Sequence, residues 1–134
     1  MSCKSAIYTA NATATTVAVG STIPLGTIIR RFGNNINLSG NGIIMSGSGY
    51  YDVDASITLT PTAAGTVTVS LLCDGVAIPG ATASATVAAA DTAVNLSIPA
   101  LVRLQCCNSS STLTFVLTEA EATVNNIGVV VTKV

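Results

Sequence analysis

The chain has 134 residues, of which 49% are apolar, 4% aromatic and only 8% charged, and its formal net charge is −1. Its basic residues form a single adjacent pair, Arg30–Arg31, which excludes the clustered positive surface that nucleic-acid binding needs, and no apolar run reaches the roughly 18 residues of a membrane-spanning helix. Because so little charge gives weak repulsion between molecules, we expect a homo-oligomer that buries apolar surface between subunits; a monomer coated with Thr, Ser and Asn is the alternative.

The first 25 residues are rich in Ala, Thr and Asn and contain two short extended pieces, Ala6–Ala10 and Thr16–Val19. Proline and glycine then interrupt the chain. We interpret residues 1–25 as an N-terminal arm with an edge strand, suited to docking on a larger particle. Residues 26–134 are interpreted as one β-sandwich domain.

A hairpin and a long alternating strand come next. Asn41-Gly42 is a strong turn signal between the apolar pieces Ile36–Leu38 and Ile43–Met45. In Tyr50–Thr60 apolar and polar residues alternate, and a one-residue slip would expose the whole apolar set, so the register is well specified. The apolar face consists of Tyr51, Val53, Ala55, Ile57 and Leu59, and the other face of Tyr50, Asp52, Asp54, Ser56, Thr58 and Thr60.

A second hairpin follows in the middle of the chain. Val67–Cys73 alternates like the preceding strand and ends at Asp74-Gly75, a turn signal. Val76–Ile78 is predicted to be a short strand that Pro79-Gly80 ends, because proline cannot donate to a sheet ladder.

The last third of the chain is also strand-like. Val94–Leu104 contains Pro99, which marks a bulge or a sheet edge, and Leu113–Leu117 alternates again. The stretch Glu119–Glu121 is interpreted as a loop, since at most one helical turn would fit there. Ile127–Val134 is apolar on both faces, which is typical of a strand covered on both sides. About eight to ten short strands without a helical period predict an all-β jelly-roll sandwich of two antiparallel sheets.

The chain has four cysteines, Cys3, Cys73, Cys106 and Cys107. Without a histidine or a Cys-x-x-Cys motif we expect no metal site of the zinc type. Cys73 shares the apolar face of its strand and is predicted to be a small core residue. No long apolar segment follows Met1, so we expect synthesis in the cytoplasm without a signal peptide, and reduced thiols. A disulfide involving Cys106 or Cys107 is the alternative.

Catalysis has few candidate groups in this sequence. There is no histidine to act as a base and no Gly-x-Ser-x-Gly elbow, and Lys4 and Lys133 lie next to the termini, away from the burial that a Ser–Lys dyad needs. Glu119 and Glu121 share a face if extended, as a glycosidase pair would, but a solvated strand edge is the favoured interpretation. We therefore predict no enzymatic activity and no cofactor.

Asp52, Asp54 and Tyr50 share one strand face. Two carboxylates can bind a hard cation such as Ca²⁺, but the favoured interpretation is solvated acids or ion pairs with arginines of a neighbouring strand or subunit. Tyr50 is either an interface anchor or a platform for stacking a sugar, and interfaces are enriched in Tyr. The candidate arginine partners are Arg30, Arg31 and Arg103.

Four segments together resemble the C1q/TNF-like trimeric jelly roll. In that family a Gly-x-Tyr strand precedes a Val/Leu-rich strand with a polar turn, and the chain closes on an apolar strand. The scarcity of aromatics and the many Ala and Thr residues make this chain more similar to bacterial and bacteriophage versions, on spore surfaces, fibres and phage heads, than to the animal members. The resemblance covers residues 36–134, and its segments are Gly49–Val53, Val67–Gly75, Ser111–Leu117 and Ile127–Val134.

The resemblance implies a homotrimer that acts as a non-enzymatic structural protein, with a bacteriophage fibre or head-decoration protein as the first choice. Its place would be the virion or particle surface, in contact with other particle proteins. A surface adhesin or carbohydrate-binding module that contacts a glycan is the alternative on the same fold. For the trimer interface we expect Tyr50, Tyr51, Phe115, Val129 and Val131 to contribute.

Overall fold

The computed structural model of the chain describes residues 5–33, 35–47, 49–90, 92–104 and 110–133. Strands occupy most of these residues, and within these ranges no helix is long and apolar enough to cross a bilayer. The strands are β1 Ala6–Asn11, β2 Thr15–Val17, β3 Thr27–Phe32, β4 Ile36–Ser39, β5 Gly42–Ser46, β6 Gly49–Pro61, β7 Gly65–Cys73, β8 Val76–Val87, β9 Val94–Leu104, β10 Ser110–Thr118 and β11 Ala122–Lys133.

The strands form two antiparallel sheets that pack face to face. Sheet I has the order β3-β1-β11-β6-β9, with β2 paired to β11, and sheet II has the order β4-β5-β10-β7-β8. The inner faces of both sheets contribute to one apolar core. The predicted all-β jelly-roll sandwich of two antiparallel sheets is therefore confirmed.

The predicted register of β6 is confirmed by burial. Every residue of its apolar face is buried, and Tyr50, Asp52, Asp54 and Ser56 on the other face are exposed. The hairpin after β7 is confirmed as well, because Cys73 pairs with Val76 across the two-residue turn Asp74-Gly75. Both turn residues have positive φ, 52° and 82°, as the tight turns that suit twisted strands require.

Two prolines lie on the edge strands of the sheets. We expected Pro79-Gly80 to end a short strand, but β8 continues through both residues to Val87. It can do so because β8 is an edge strand of sheet II, where the missing N–H of proline breaks no ladder. Pro99 lies on β9, which is an edge of sheet I, as predicted.

The N-terminal segment belongs to the sandwich. The sequence predicts an edge strand there, with Ala6–Ala10 and Thr16–Val19 as the extended pieces. β1 lies inside sheet I between β3 and β11, whereas β2 pairs with β11 alone among the described strands and is an edge. Ile7, Val17, Ile23 and Leu25 from this segment are buried in the core. Their burial explains why this segment packs into the sandwich, since an arm free of the domain would expose these side chains to water. The docking role expected for residues 1–25 stays a prediction.

Candidate interface on the outer face of sheet I

The outer face of sheet I has an apolar half and a polar half. Five large apolar side chains face outward on the first half, and each is between 39% and 62% exposed. Tyr8, Phe32 and Val130 line a common hollow, and Asp52 on β6 separates them from Tyr50 and Leu101. A concentration of exposed apolar surface on one face marks an interaction site more often than scattered single residues do. We call these residues the apolar patch: Tyr8, Phe32, Tyr50, Leu101 and Val130.

The polar half of the same face is satisfied within the protomer. Asn95 Nδ2 donates hydrogen bonds to Ser56 Oγ at 3.2 Å and to Thr58 Oγ1 at 3.1 Å. Asn125 Nδ2 donates to Thr60 Oγ1 at 2.7 Å. These side chains bond to one another across strands and need no partner chain.

One row of residues crosses the apolar half from strand to strand. Tyr8 on β1 lies opposite Val130 on β11, and Val130 lies opposite Asp54 on β6. The row continues to Arg30 on β3 at one end and to Pro99 on β9 at the other. We call these five residues the central row, and its apolar pair stands between a basic and an acidic side chain.

Gly128 opens a depression beside the central row. It lies on the outer face of β11 and helps to line a shallow hollow of about 340 Å³, together with Tyr8, Asp54 and Val130. A Cβ atom at Gly128 would come within 3.7 Å of Tyr8 Cε1, which is an ordinary contact. A second hollow of about 140 Å³ separates Tyr8 from Phe32. The two hollows beside Tyr8 leave room for side chains of another molecule.

Tyr50 lies at the margin of the apolar patch with a cation against its ring. The Arg103 guanidinium carbon is 5.9 Å from the ring centroid, within the range of a cation–π contact. The two residues are cross-strand partners on β6 and β9. The arginine covers part of the ring face that a sugar would need for stacking.

The outer face of sheet II is rich in hydroxyl residues, and the apolar side chains Ile44, Leu72 and Val116 are half-buried among them. Thr66 and Thr86 share a hydrogen bond of 2.9 Å between their Oγ1 atoms, and Thr82 Oγ1 donates to Ser70 Oγ at 3.3 Å. Val76, at the tip of a hairpin, is the one strongly exposed large apolar side chain among the described residues of the strands of sheet II. The hydroxyl residues on this face are Thr66, Thr68, Ser70, Thr82, Ser84, Thr86, Thr112, Thr114 and Thr118.

Four of the five residues expected at a trimer interface are core residues of the protomer. Tyr51, Phe115, Val129 and Val131 have no exposed surface at all, and they pack between the two sheets, so they have none to offer a second chain. Tyr50 is 48% exposed and belongs to the apolar patch.

The sequence did not identify the outward residues of β1 and β11, because β11 is apolar on both faces and β1 alternates only weakly. Val130 stands between two buried valines, and Tyr8 stands between buried Ile7 and Thr9. Their outward orientation follows from the alternation once the pairing of β1 with β11 is known. That long-range pairing is the information that the sequence alone did not supply.

Asp52 and Asp54 are both exposed on the outer face of β6, as expected. The cross-strand partners of Asp52 are Thr132 and Leu101, and those of Asp54 belong to the central row. None of these partners is a carboxylate or an arginine. Among the described residues, no group of three Asp, Glu, Cys or His side chains could hold a metal ion.

The remaining candidate groups are isolated from one another. Glu119 has a φ of 75° in the turn before β11, and the backbone oxygen of Glu121 accepts a bond from Thr62, as in a surface loop. Cys73 is a partly buried free thiol whose pKa is raised by burial and, secondarily, by the charge of Asp74. A raised pKa keeps the thiol protonated at neutral pH and makes it a poor nucleophile. Cys3, Cys106 and Cys107 lie outside the described residues.

Solved structures with the same topology cover almost the whole chain, although no protein-family model and no curated protein matches the sequence. Murine APRIL at pH 5.0 has a TM-score of 0.73 at 13% identity, with 98% of this chain and 99% of that chain covered. The globular domain of zebrafish complement 1qA protein has a TM-score of 0.65 at 8% identity, covering 92% and 94% of the two chains. PRD1 vertex protein P5 has a TM-score of 0.62 at 11% identity, covering 97% and 96%. At such low identity the likeness is one of fold, and the fold of this protein is the C1q/TNF-like jelly roll.

Proposed function

We propose that the protein is a non-enzymatic structural protein that assembles as a homotrimer through the apolar patch of sheet I. The observation that carries this proposal is the contrast between the two outer faces. Five large apolar side chains are at least 39% exposed on one face, whereas on the other hydroxyl residues predominate and the apolar Ile44, Leu72 and Val116 are half-buried. In a chain with 8% charged residues and a net charge of −1, an uncovered patch of this kind favours self-association.

The particle on which this trimer acts is, in our proposal, a bacteriophage virion, where the protein is a fibre or head-decoration component at the surface. The C1q/TNF-like resemblance implies the trimer, and the likeness to a protein named as a vertex protein supports a place on a particle. The hydroxyl face of sheet II suits the solvent-facing side of such an assembly, because it stays hydrated without charge.

The first experiment is the absolute mass of the purified chain in solution, by size-exclusion chromatography with light scattering under reducing conditions. We expect the mass of three chains at micromolar concentration. A monomer at that concentration would overturn the proposal. Association with virions is tested separately, by immunogold labelling of purified phage particles with an antibody against the protein.

A carbohydrate-binding module is the second candidate, and the exposed ring of Tyr50 beside Asp52 is the observation that favours it. Aromatic rings with neighbouring acids bind sugars, but Arg103 already covers part of this ring. Saturable glycan binding that is lost in Tyr50→Ala and retained in Ser84→Ala, a hydroxyl change on the opposite face, would favour this function over the structural one.

A further inference from the structure

The central row holds two opposite charges apart on a surface that the proposed trimer would bury. Arg30 and Asp54 are three strand positions from each other, in the order β3-β1-β11-β6. Adjacent strands lie about 4.8 Å apart, so the two positions are separated by about 14 Å. This is far beyond the reach of an ion pair, and the two residues between them are Tyr8 and Val130.

If another molecule covers this face, Arg30 and Asp54 each need a counter-charge. A guanidinium or carboxylate that is buried without a counter-charge is strongly destabilising. Arg30 faces Tyr8 across the strands, and Asp54 faces Val130 and Pro99, so the row itself supplies no counter-charge. The incoming surface must therefore present an acid near Arg30 and a base near Asp54.

A second copy of this chain meets that condition. Each copy carries its basic group on the β3 side of the patch and its acidic group on the β6 side. In a closed ring the contact is heterologous, so one side of each copy meets the opposite side of the next. Such a contact brings Arg30 of one copy toward Asp54 of its neighbour, and Tyr8 and Val130 then lie between the two junctions that each copy makes.

We propose that Arg30 and Asp54 form an ion pair between neighbouring subunits, which sets the register and the head-to-tail direction of the ring. This inference rests on the trimer proposed above. The other charged residues on this part of the molecule are already engaged or lie off the row. Arg31 Nε donates to the backbone oxygen of Ile36 at 2.7 Å, and Arg103 lies against Tyr50. Asp52 lies in the next row, opposite Leu101.

Charge reversal tests the pair directly. Arg30→Glu and Asp54→Arg each place like charges at every junction, and we expect each to raise the trimer dissociation constant about tenfold or more, because close interfacial charge pairs couple strongly. The double variant, with both substitutions in one chain, restores opposite charges and should return to within about threefold of wild type. Ser84→Arg and Ser84→Glu, on the outer face of sheet II, are the matched controls and should change nothing. Melting curves check that every variant folds, as expected for exposed positions.

Mixing the two single variants tests the ring itself. A junction between Arg30→Glu and Asp54→Arg has opposite charges, whichever chain comes first. A two-membered assembly can therefore consist entirely of such junctions, whereas a ring of three always contains one junction between identical variants. We expect the equimolar mixture to assemble better than either single variant and less well than the double variant.

The outcomes of these experiments distinguish failure of the ion pair from failure of the trimer. Wild type running as a monomer removes the proposed trimer and this inference together. A wild-type trimer that tolerates both reversals, or that the double variant fails to restore, overturns the ion pair and leaves the trimer standing. A mixture that assembles as well as the double variant identifies an even-numbered assembly and overturns the ring.

Discussion

The two sheets of this protein are alike on the inside and different on the outside. Both have a path of five antiparallel strands, and both direct alternate Val, Ile, Leu and aromatic side chains into one core. Outward, sheet II presents mainly threonine and serine, with its large apolar side chains half-buried, whereas half of sheet I presents the more exposed apolar patch. The inner faces explain why the chain folds as it does, and the difference between the outer faces is the basis of the interface proposed above.

The largest expected effect on the free energy of unfolding comes from a change on the inner face of a sheet. Phe115 on β10 is completely buried, so Phe115→Ala should lower the free energy of unfolding by about 3–5 kcal/mol. Thr114→Ala, the outward neighbour on the same strand, is the matched control and should cost about 1 kcal/mol or less. Chemical denaturation measures both, and equal losses would contradict the assignment of the two faces.

The second prediction breaks the apolar patch and leaves the core intact. Val130→Glu places a carboxylate in the middle of the central row, next to Asp54, where covering it with a second chain is costly. We expect the mass in solution to fall to that of a monomer that keeps the circular-dichroism spectrum of the folded protomer, because the position is 39% exposed.

The control for Val130→Glu is Ser84→Glu, which adds the same charge to the outer face of sheet II. We expect it to keep the mass of the assembly. If both variants dissociate, general charge repulsion explains the result. If neither does, the apolar patch is not the interface.

Tyr50 and Tyr51 are adjacent residues that face outward and inward, so they allow the stability contributions of the two faces to be compared within one strand. Tyr51 Oη lies 2.7 Å from the carbonyl oxygens of both Ser46 and Gly47 and donates its hydrogen to them at the end of the core. Tyr51→Phe leaves these acceptors without that donor, so we expect a loss of about 1–3 kcal/mol in the free energy of unfolding. Tyr50→Phe, which keeps the exposed ring, should be close to neutral in the same measurement.

Alkaline pH offers a second way to distinguish the inward tyrosine. Burial raises the pKa of Tyr51 above its usual value, so the unfolded chain loses this proton first as the pH rises. The stabilising contribution is complete below the usual tyrosine pKa of about 10 and is lost as the pH rises from there through the native pKa. Unfolding measured between pH 9 and about 11 should show a falling free energy in wild type. A slope equally steep in Tyr51→Phe would contradict this origin.

The sequence predicted the inner face of the sandwich far better than its outer face. In β6 the alternation alone identified five buried residues, because one strand contains both halves of the pattern. Phe115, Val129 and Val131 were expected at an interface, but they are core residues, since an apolar strand position looks the same whether its own domain or a second chain covers it. Tyr8 and Val130 become neighbours only through pairing between the two ends of the chain, which no local pattern encodes.

The smallest expected effect tests whether the hydroxyls of sheet II do more than keep it hydrated. Thr66 and Thr86 are cross-strand partners whose Oγ1 atoms are 2.9 Å apart. Thr66→Val keeps the β-branched shape and removes this hydrogen bond, so we expect a loss of about 0.2–1 kcal/mol in the free energy of unfolding. The assembly should keep its mass, because the position lies on the face opposite the apolar patch. A Thr66→Val variant that dissociated as Val130→Glu is expected to do would show that sheet II also contacts a neighbouring subunit, and the contrast between the two outer faces would then no longer locate the interface.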